Sequence, residues 1–91
     1  MIFLQFKDAR MECIEFNCYF GEVGEDVNSE IELIVDANVD EIEKFYSSPF
    51  LIEMEHHTYV FSGYELWEFY EVENGLVKII CRKIEFSLSL Y

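Results

Sequence analysis

An Asn74-Gly75 step set between two long apolar runs constrains this chain more than any other feature. A tight primed turn needs positive φ at both central residues, and Asn-Gly meets that need at little steric cost. Residues Gly63 to Tyr91 therefore read as a hairpin, with Trp67, Phe69 and Tyr70 on the outgoing strand and Val77, Ile79 and Cys81 along one face of the return. Further on the phase changes, because Ile84, Phe86, Leu88 and Leu90 alternate with Glu85, Ser87 and Ser89. Arg82-Lys83 is thus the expected place of a bulge or sharp bend.

Upstream, alternation with period two recurs. Ile2, Leu4 and Phe6 alternate with Phe3, Gln5 and Lys7, which gives a first strand that buries the former set, with Lys7 to Arg10 as the connection. Met11 to Phe20 reads as a half-buried strand, with Ile14, Phe16, Cys18 and Phe20 on one side and Cys13, Glu15, Asn17 and Tyr19 on the other. Gly21 to Ser29, rich in glycine and acid, reads as a mobile loop. Ile31, Leu33 and Val35 against Glu30, Glu32 and Asp36 make a third strand, with Ile34 as the exception.

At Asn38 the period changes. Glu41 stands at the capping-box spacing from Asn38, and Val39, Ile42, Phe45 and Tyr46 recur at helical intervals, so a helix of about two to three turns is expected. Asp40, Glu41 and Glu43 fall in or near its first turn, where negative charge complements the helix dipole. Ser47-Ser48-Pro49 ends it, since the residue before a proline is pushed towards extended geometry. Phe50, Ile52 and Met54 then alternate with Leu51, Glu53 and Glu55, and a turn at His56-His57 leads into Thr58 to Phe61. The order is βββαββββ. One short helix cannot cover both faces of so large a sheet. The expected fold is a single α+β domain over residues 1–91, a strongly curved antiparallel sheet of six to seven strands with the helix on its concave side.

Ninety-one residues leave no room for a second domain, while 52% apolar residues suffice for a core. The 19 acidic and 6 basic side chains give a net charge of −13, which argues against direct binding of nucleic acid or of an anionic membrane. Disordered chains lack aromatic residues, and this one has 18%. Met1 to Lys7 is too short, and too soon followed by charge, for a signal peptide, and no apolar run approaches the length of a membrane span. These features place the protein in the cytoplasm. Its three cysteines, with Cys13 and Cys18 expected on opposite faces, read as reduced structural residues.

Little in the chain promises chemistry. Neighbouring residues of a strand point to opposite faces and a turn aims both at solvent, so His56-His57 with Glu53 and Glu55 reads as a turn, not a metal site. Asp26, Asn28, Glu30 and Glu32 resemble the first half of a calcium loop, yet Ile31 stands where glycine is needed and Ala37 where the bidentate glutamate is needed. There is no G-x-S-x-G, no glycine-rich phosphate loop and no thiol with a patterned histidine. A non-enzymatic protein without cofactor is expected.

Acidity is the informative feature. Glu30 with Glu32, Glu53 with Glu55 and Glu71 with Glu73 are expected about 6.6 Å apart on shared strand faces, as rails of negative charge. With Tyr64 and Trp67 as aromatic anchors, they are the candidate partner-binding residues. Duplex DNA carries one charge per ~1.7 Å, so a stretch of ~30 Å holds about 18, the same order as this chain's excess. Such a surface can compete for a basic nucleic-acid-binding cleft. The competing reading is a solvated face whose carboxylates protect strand edges from aggregation.

From Val39 onward, the acidic helix Val39-Asp40-Glu41-Ile42-Glu43-Lys44, the stretch Phe61-Ser62-Gly63-Tyr64 with Leu66, and the hairpin Glu73-Asn74-Gly75-Leu76-Val77-Lys78 resemble small proteins of bacteriophages and prophages, some encoded among tail genes. The resemblance covers about half the chain. In size, acidity and aromatic content the chain is also similar to phage-encoded inhibitors of host defence, including anti-CRISPR proteins and DNA mimics. These resemblances imply, as partner, a host protein with a basic surface in the host cytoplasm, or else a structural or assembly role in a phage tail. A homodimer is a further expectation.

Overall fold

Seven strands form one sheet in which every described pairing is antiparallel: β1 (Ile2–Gln5), β2 (Arg10–Val23), β3 (Asp26–Asp36), β4 (Phe50–Glu53), β5 (Thr58–Phe61), β6 (Leu66–Glu73) and β7 (Leu76–Lys83). The one helix among the described residues, α1 (Val39–Glu43), lies between β3 and β4, so the order of the described elements is βββαββββ as expected. The computed structural model describes residues 1–23 and 26–83, without the side chains of residues 20–23, 26–28 and 83. The expected continuation of the last strand through Ile84, Phe86, Leu88 and Leu90 lies outside these. As far as Lys83, β7 pairs with β3 without a register shift.

Topology forces this sheet to curl. Its order is β5-β4-β1-β2-β3-β7-β6, so β5 and β6, consecutive in the chain, stand at opposite edges. Seven flat strands would separate those edges by about 29 Å. Only Ser62 to Glu65 join them, and the five steps from Phe61 to Leu66 reach at most about 18 Å. A flat sheet is therefore excluded, and the strands form a curled half-barrel. The crossing turns at Gly63, whose φ of +69° suits glycine alone without strain.

Much of the bend is made in β2. Arg10 to Cys13 pair with β1, while Cys13 and then Glu15 onward pair with β3; the register slips between Cys13 and Glu15, leaving Ile14 as the extra residue. A bulge bends its strand and raises the local twist. It also reverses the side-chain phase. Cys13 is buried with Met11, and Phe16 and Cys18 pack against the same core, whereas Ile14 is 55% exposed. The expectation that Cys13 and Cys18 face opposite ways, with Ile14 beside Phe16, is corrected by this single extra residue.

The inner face carries Leu4, Phe6, Ile31, Leu33, Val35, Phe50, Ile52, Phe61, Trp67, Val77 and Ile79, all buried. Across it runs the segment from Ala37 to Pro49 that contains α1. The Asn38 side chain accepts from the Glu41 amide at 3.0 Å and the Glu41 carboxylate accepts from the Asn38 amide at 3.3 Å, the reciprocal pair the spacing announced. The helix is shorter than expected, at five residues. Beyond it Phe45 and Tyr46 donate to Ile42 and Glu43 in tighter three-residue turns, and Ser47 closes the segment at a φ of +63°. Phe45 is thereby laid flat on Phe6, with ring centroids 4.4 Å apart, and Ile42 is fully buried.

Two other expectations change. Residues 21–23 and 26–29 are strand where a loop is expected, because the β2–β3 ladder continues to Val23 and Asp26. Glycine and acid along these strands do not prevent pairing. At the Asn74-Gly75 connection only Gly75 has positive φ, at +84°. The doubly left-handed turn is absent, and a register shift between Glu71 and Glu73 adjusts the strands instead. The Gly75 carbonyl accepts from Ala37, tying the hairpin tip to the end of β3.

Chemical denaturation should distinguish these constraints. Gly75→Val forces a branched side chain into left-handed geometry and should cost about 1–2 kcal/mol, while Gly75→Asn should cost much less. Asn38→Ala should cost about 1 kcal/mol through the lost cap. Equal stability for Gly75→Val and the parent would contradict the turn described here.

Candidate protein-binding surface

Pairing defines the outer face residue by residue. Directly opposed residues of an antiparallel sheet share a face, which yields the rows Tyr19, Glu30, Arg82, Leu66; Asn17, Glu32, Ile80, Glu68; and Glu15, Ile34, Lys78, Tyr70. Asp36 and Glu73 end this half, and Glu12, Phe3 and Glu53 occupy the other. Against these carboxylates the same face offers Arg10, Lys78 and Arg82.

Two of those cations are already engaged. Lys78 Nζ lies 3.7 Å from a Glu32 oxygen, and Arg10 lies 3.6 Å from Glu53 with its guanidinium 3.9 Å from the centre of the Phe3 ring. Both ion pairs lie on the solvent side, where such a pair contributes about 0–1 kcal/mol. They hold side chains in place more than they stabilise the fold. Glu12, Glu15, Glu30 and Glu68 make no described ion pair, so the face keeps an acidic excess in which Tyr19 and Tyr70, 52% and 48% exposed, supply aromatic surface.

The expected rails fare unequally. Glu30 and Glu32 do share a face. Glu53 is on β4, but Glu55 lies beyond the strand, exposed in the turn, 3.7 Å from His56. Glu71 and Glu73 are separated by the register shift at Val72: Glu71 is opposite inward-facing Val77 and Glu73 is opposite Leu76, so they lie on opposite faces. What replaces the rails is a cross-strand field in which Glu32 and Glu68 flank Ile80. Its members Glu12, Glu15, Glu68 and Tyr70 were not singled out from the sequence. For Glu68 and Tyr70 the signal was legible, since they alternate with Trp67 and Phe69.

Neither aromatic anchor is on this surface. Trp67, 4% exposed, faces inward opposite Cys81, and Phe69 and Tyr46 contact its ring. Tyr64 belongs to the crossing between the sheet edges and stacks on Phe50 at 5.6 Å. Its hydroxyl and the Trp67 indole nitrogen are buried without a hydrogen-bond partner among the described residues. Burial holds the Tyr64 hydroxyl protonated far above the ordinary phenol range. Tyr64 packs against Phe50 where the chain crosses between the sheet edges, and Trp67 takes the inward phase of β6 opposite Cys81.

The other candidates can be placed as well. His56 and His57 are exposed in the β4–β5 turn, where Met54 donates to the His57 carbonyl. Asp26 and Asn28 are strand residues paired with β2, so their backbone does not form a calcium-type loop. Among the described residues no three His, Cys, Asp or Glu side chains are grouped to hold a metal ion. Burial pushes the Cys13 thiol up to about 11 and raises those of Cys81 and Cys18, which works against thiolate chemistry. A hollow of about 260 Å³ between β1, β4 and β5 is lined mainly by Phe6, Pro49, Phe50, Leu51 and Val60, with Gln5 and Lys7 as its polar groups. No helix among the described residues is long and apolar enough to cross a membrane.

No family model, curated protein or solved structure matches this chain in the comparisons made with known proteins.

Two measurements check this arrangement. Tyr64→Phe removes a buried hydroxyl that has no described partner and should leave stability unchanged or slightly raised, whereas Tyr64→Ala should cost about 3–5 kcal/mol, the range for emptying a large aromatic site. Cys13 has a folded-state pKa above its ordinary value of 9.0, so its contribution to stability is complete below about pH 9 and is lost as pH rises towards about 11. Denaturation midpoints at pH 8 and pH 10.5 should fall less with Cys13→Val than in the parent; an identical fall would show that Cys13 has no part in it.

Proposed function

We propose that this is a non-enzymatic binding protein of a phage or mobile element, which inhibits a host protein by laying its acidic outer sheet face on a basic, nucleic-acid-binding surface. The observation that carries the reading is the composition of that face: Glu12, Glu15, Glu30 and Glu68 without described ion pairs, interspersed with the exposed rings of Tyr19 and Tyr70. Carboxylates supply long-range attraction and rate of encounter, and tyrosines supply anchoring area at low entropic cost. The pair suits a protein partner better than a small molecule. It also suits a different protein better than a second copy, because two such faces repel each other.

A second reading, a structural or assembly role in a phage tail, is favoured by the exposed apolar residues Ile14 and Val72. The two readings respond oppositely to salt. Electrostatic docking weakens as the Debye length contracts from about 10 Å at 0.1 M to about 3 Å at 1 M, whereas apolar assembly tolerates it. Association with a partner captured from host lysate should slow steeply with salt, and Glu15→Lys combined with Glu30→Lys should weaken it while the circular dichroism spectrum stays unchanged. Affinity level across that salt range, with both reversals silent, would replace the inhibitor reading by the assembly reading.

A further inference from the structure

The strand at one edge of the sheet combines three properties that the outer-face reading does not use. Strand β6 pairs with β7 alone among the described residues, so no described strand takes up the hydrogen-bonding groups along its other side. It runs for eight residues, against four for the opposite edge strand β5, which is long enough to template another strand. Its charged residues are Glu68, Glu71 and Glu73, with no lysine or arginine among them.

Edge strands are commonly guarded by lysine, proline, bulges or inward charge; β6 has the inward Glu71 and the shift at Val72 but neither lysine nor proline, and Leu66 to Glu71 pair without interruption. Acid alone guards selectively, since it repels an acidic strand, including β6 of a second copy, and admits a basic one. The sides of the strand refine the match. Residues of an added strand opposite Glu68 and Tyr70 would project to the outer face, and those opposite Phe69 and Glu71 to the inner face. On that inner side Tyr46 is 60% exposed and its ring lies 6.1 Å from Phe69 and 5.5 Å from Trp67. An arginine there meets an aromatic surface, and the Glu71 carboxylate follows two residues along the strand from Phe69, about 6.6 Å away. Main-chain pairing gives affinity in such recognition, and alternate side chains give specificity.

We propose that β6 accepts an extended arginine- or lysine-rich segment of the partner as an eighth strand, with the inward cations on Tyr46, Phe69 and Glu71. The inference rests on the proposed binding of a basic partner and names the element through which that partner is held.

The test uses the full chain and a short synthetic peptide of alternating arginine and threonine, with a glutamate-for-arginine peptide as control. Trp67 is the only tryptophan and touches Tyr46, so its emission reports binding without a label. Expected are saturable binding of the basic peptide alone, slowed hydrogen exchange at β6 amides, and affinity lowered about 5- to 10-fold by Glu71→Lys or Tyr46→Ser, in keeping with one lost charge or cation–π contact. Asp8→Lys, exposed between β1 and β2, should change affinity by less than about twofold, and Glu15→Lys with Glu30→Lys reports separately on the outer face. If binding is lost only with that outer-face pair and β6 exchange is unchanged, strand addition is overturned while the acidic-face reading stands. If the basic peptide binds no better than its control, both are overturned.

Discussion

The short crossing from Phe61 to Leu66 is the constraint on which the rest of this fold depends. It obliges the two edges of a seven-stranded sheet to approach at one end, and so sets the curl before any side chain is considered. Curl in turn requires a place where the sheet bends, and β2 provides it at Ile14. From that extra residue follow the phase of β2, the inward placement of both Cys13 and Cys18, and the narrow inner space that one turn of helix can close. A flat sheet with the same pairings would have needed far more covering structure than the segment from Ala37 to Pro49 supplies.

Aromatic rings make up for the shortness of α1. Phe45 lies on Phe6, Phe6 meets Phe50 edge-on, Phe50 stacks with Phe61 and Tyr64, and Phe16 meets Phe61, so that one connected set of rings spans the inner face from the helix to the crossing. Each buried ring removes about 150–250 Å² from water, and a well-placed pair adds about 0.5–1.5 kcal/mol. That driving force stands against the self-repulsion of a net charge of −13. The Tyr64 hydroxyl, buried without a partner among the described residues, shows the same priority. Ring area at that position outweighs the cost of a buried donor.

The sequence made the elements legible and their mutual arrangement much less so. Leu4 and Phe6, the set Ile31, Leu33 and Val35, and the pair Phe50 and Ile52 are all inward as their alternation implies, because period-two burial is a local property. The Asn38 cap was equally local. The bulge at Ile14 has no glycine or proline to announce it, and it answers to a demand made by the distant crossing between β5 and β6. The same is true at Val72, where the shift puts Glu71 and Glu73 on different faces. A run of alternating residues tells which side chains share a face only until the first slip in register. Trp67 and Tyr64 looked like surface anchors because large rings at a hairpin's start are ambiguous between core and interface until strand order decides.

Strand order also decides what the acidity means. Along the chain the carboxylates look like pairs, each two residues apart, and such pairs are what any half-solvated strand produces. Across the sheet they become a field, since β3, β7 and β6 bring Glu30, Glu32 and Glu68 together although long stretches of sequence separate the first two from the third. Lys78 and Arg82, placed between them on β7, moderate this field without cancelling it. Among the carboxylates lie half-buried Ile34 and Ile80 and the exposed rings of Tyr19 and Tyr70. Charge and apolar area therefore alternate across this face, with Glu32 and Glu68 flanking Ile80 and with Ile34 between Glu15 and Lys78, an order that only the pairing of four strands creates.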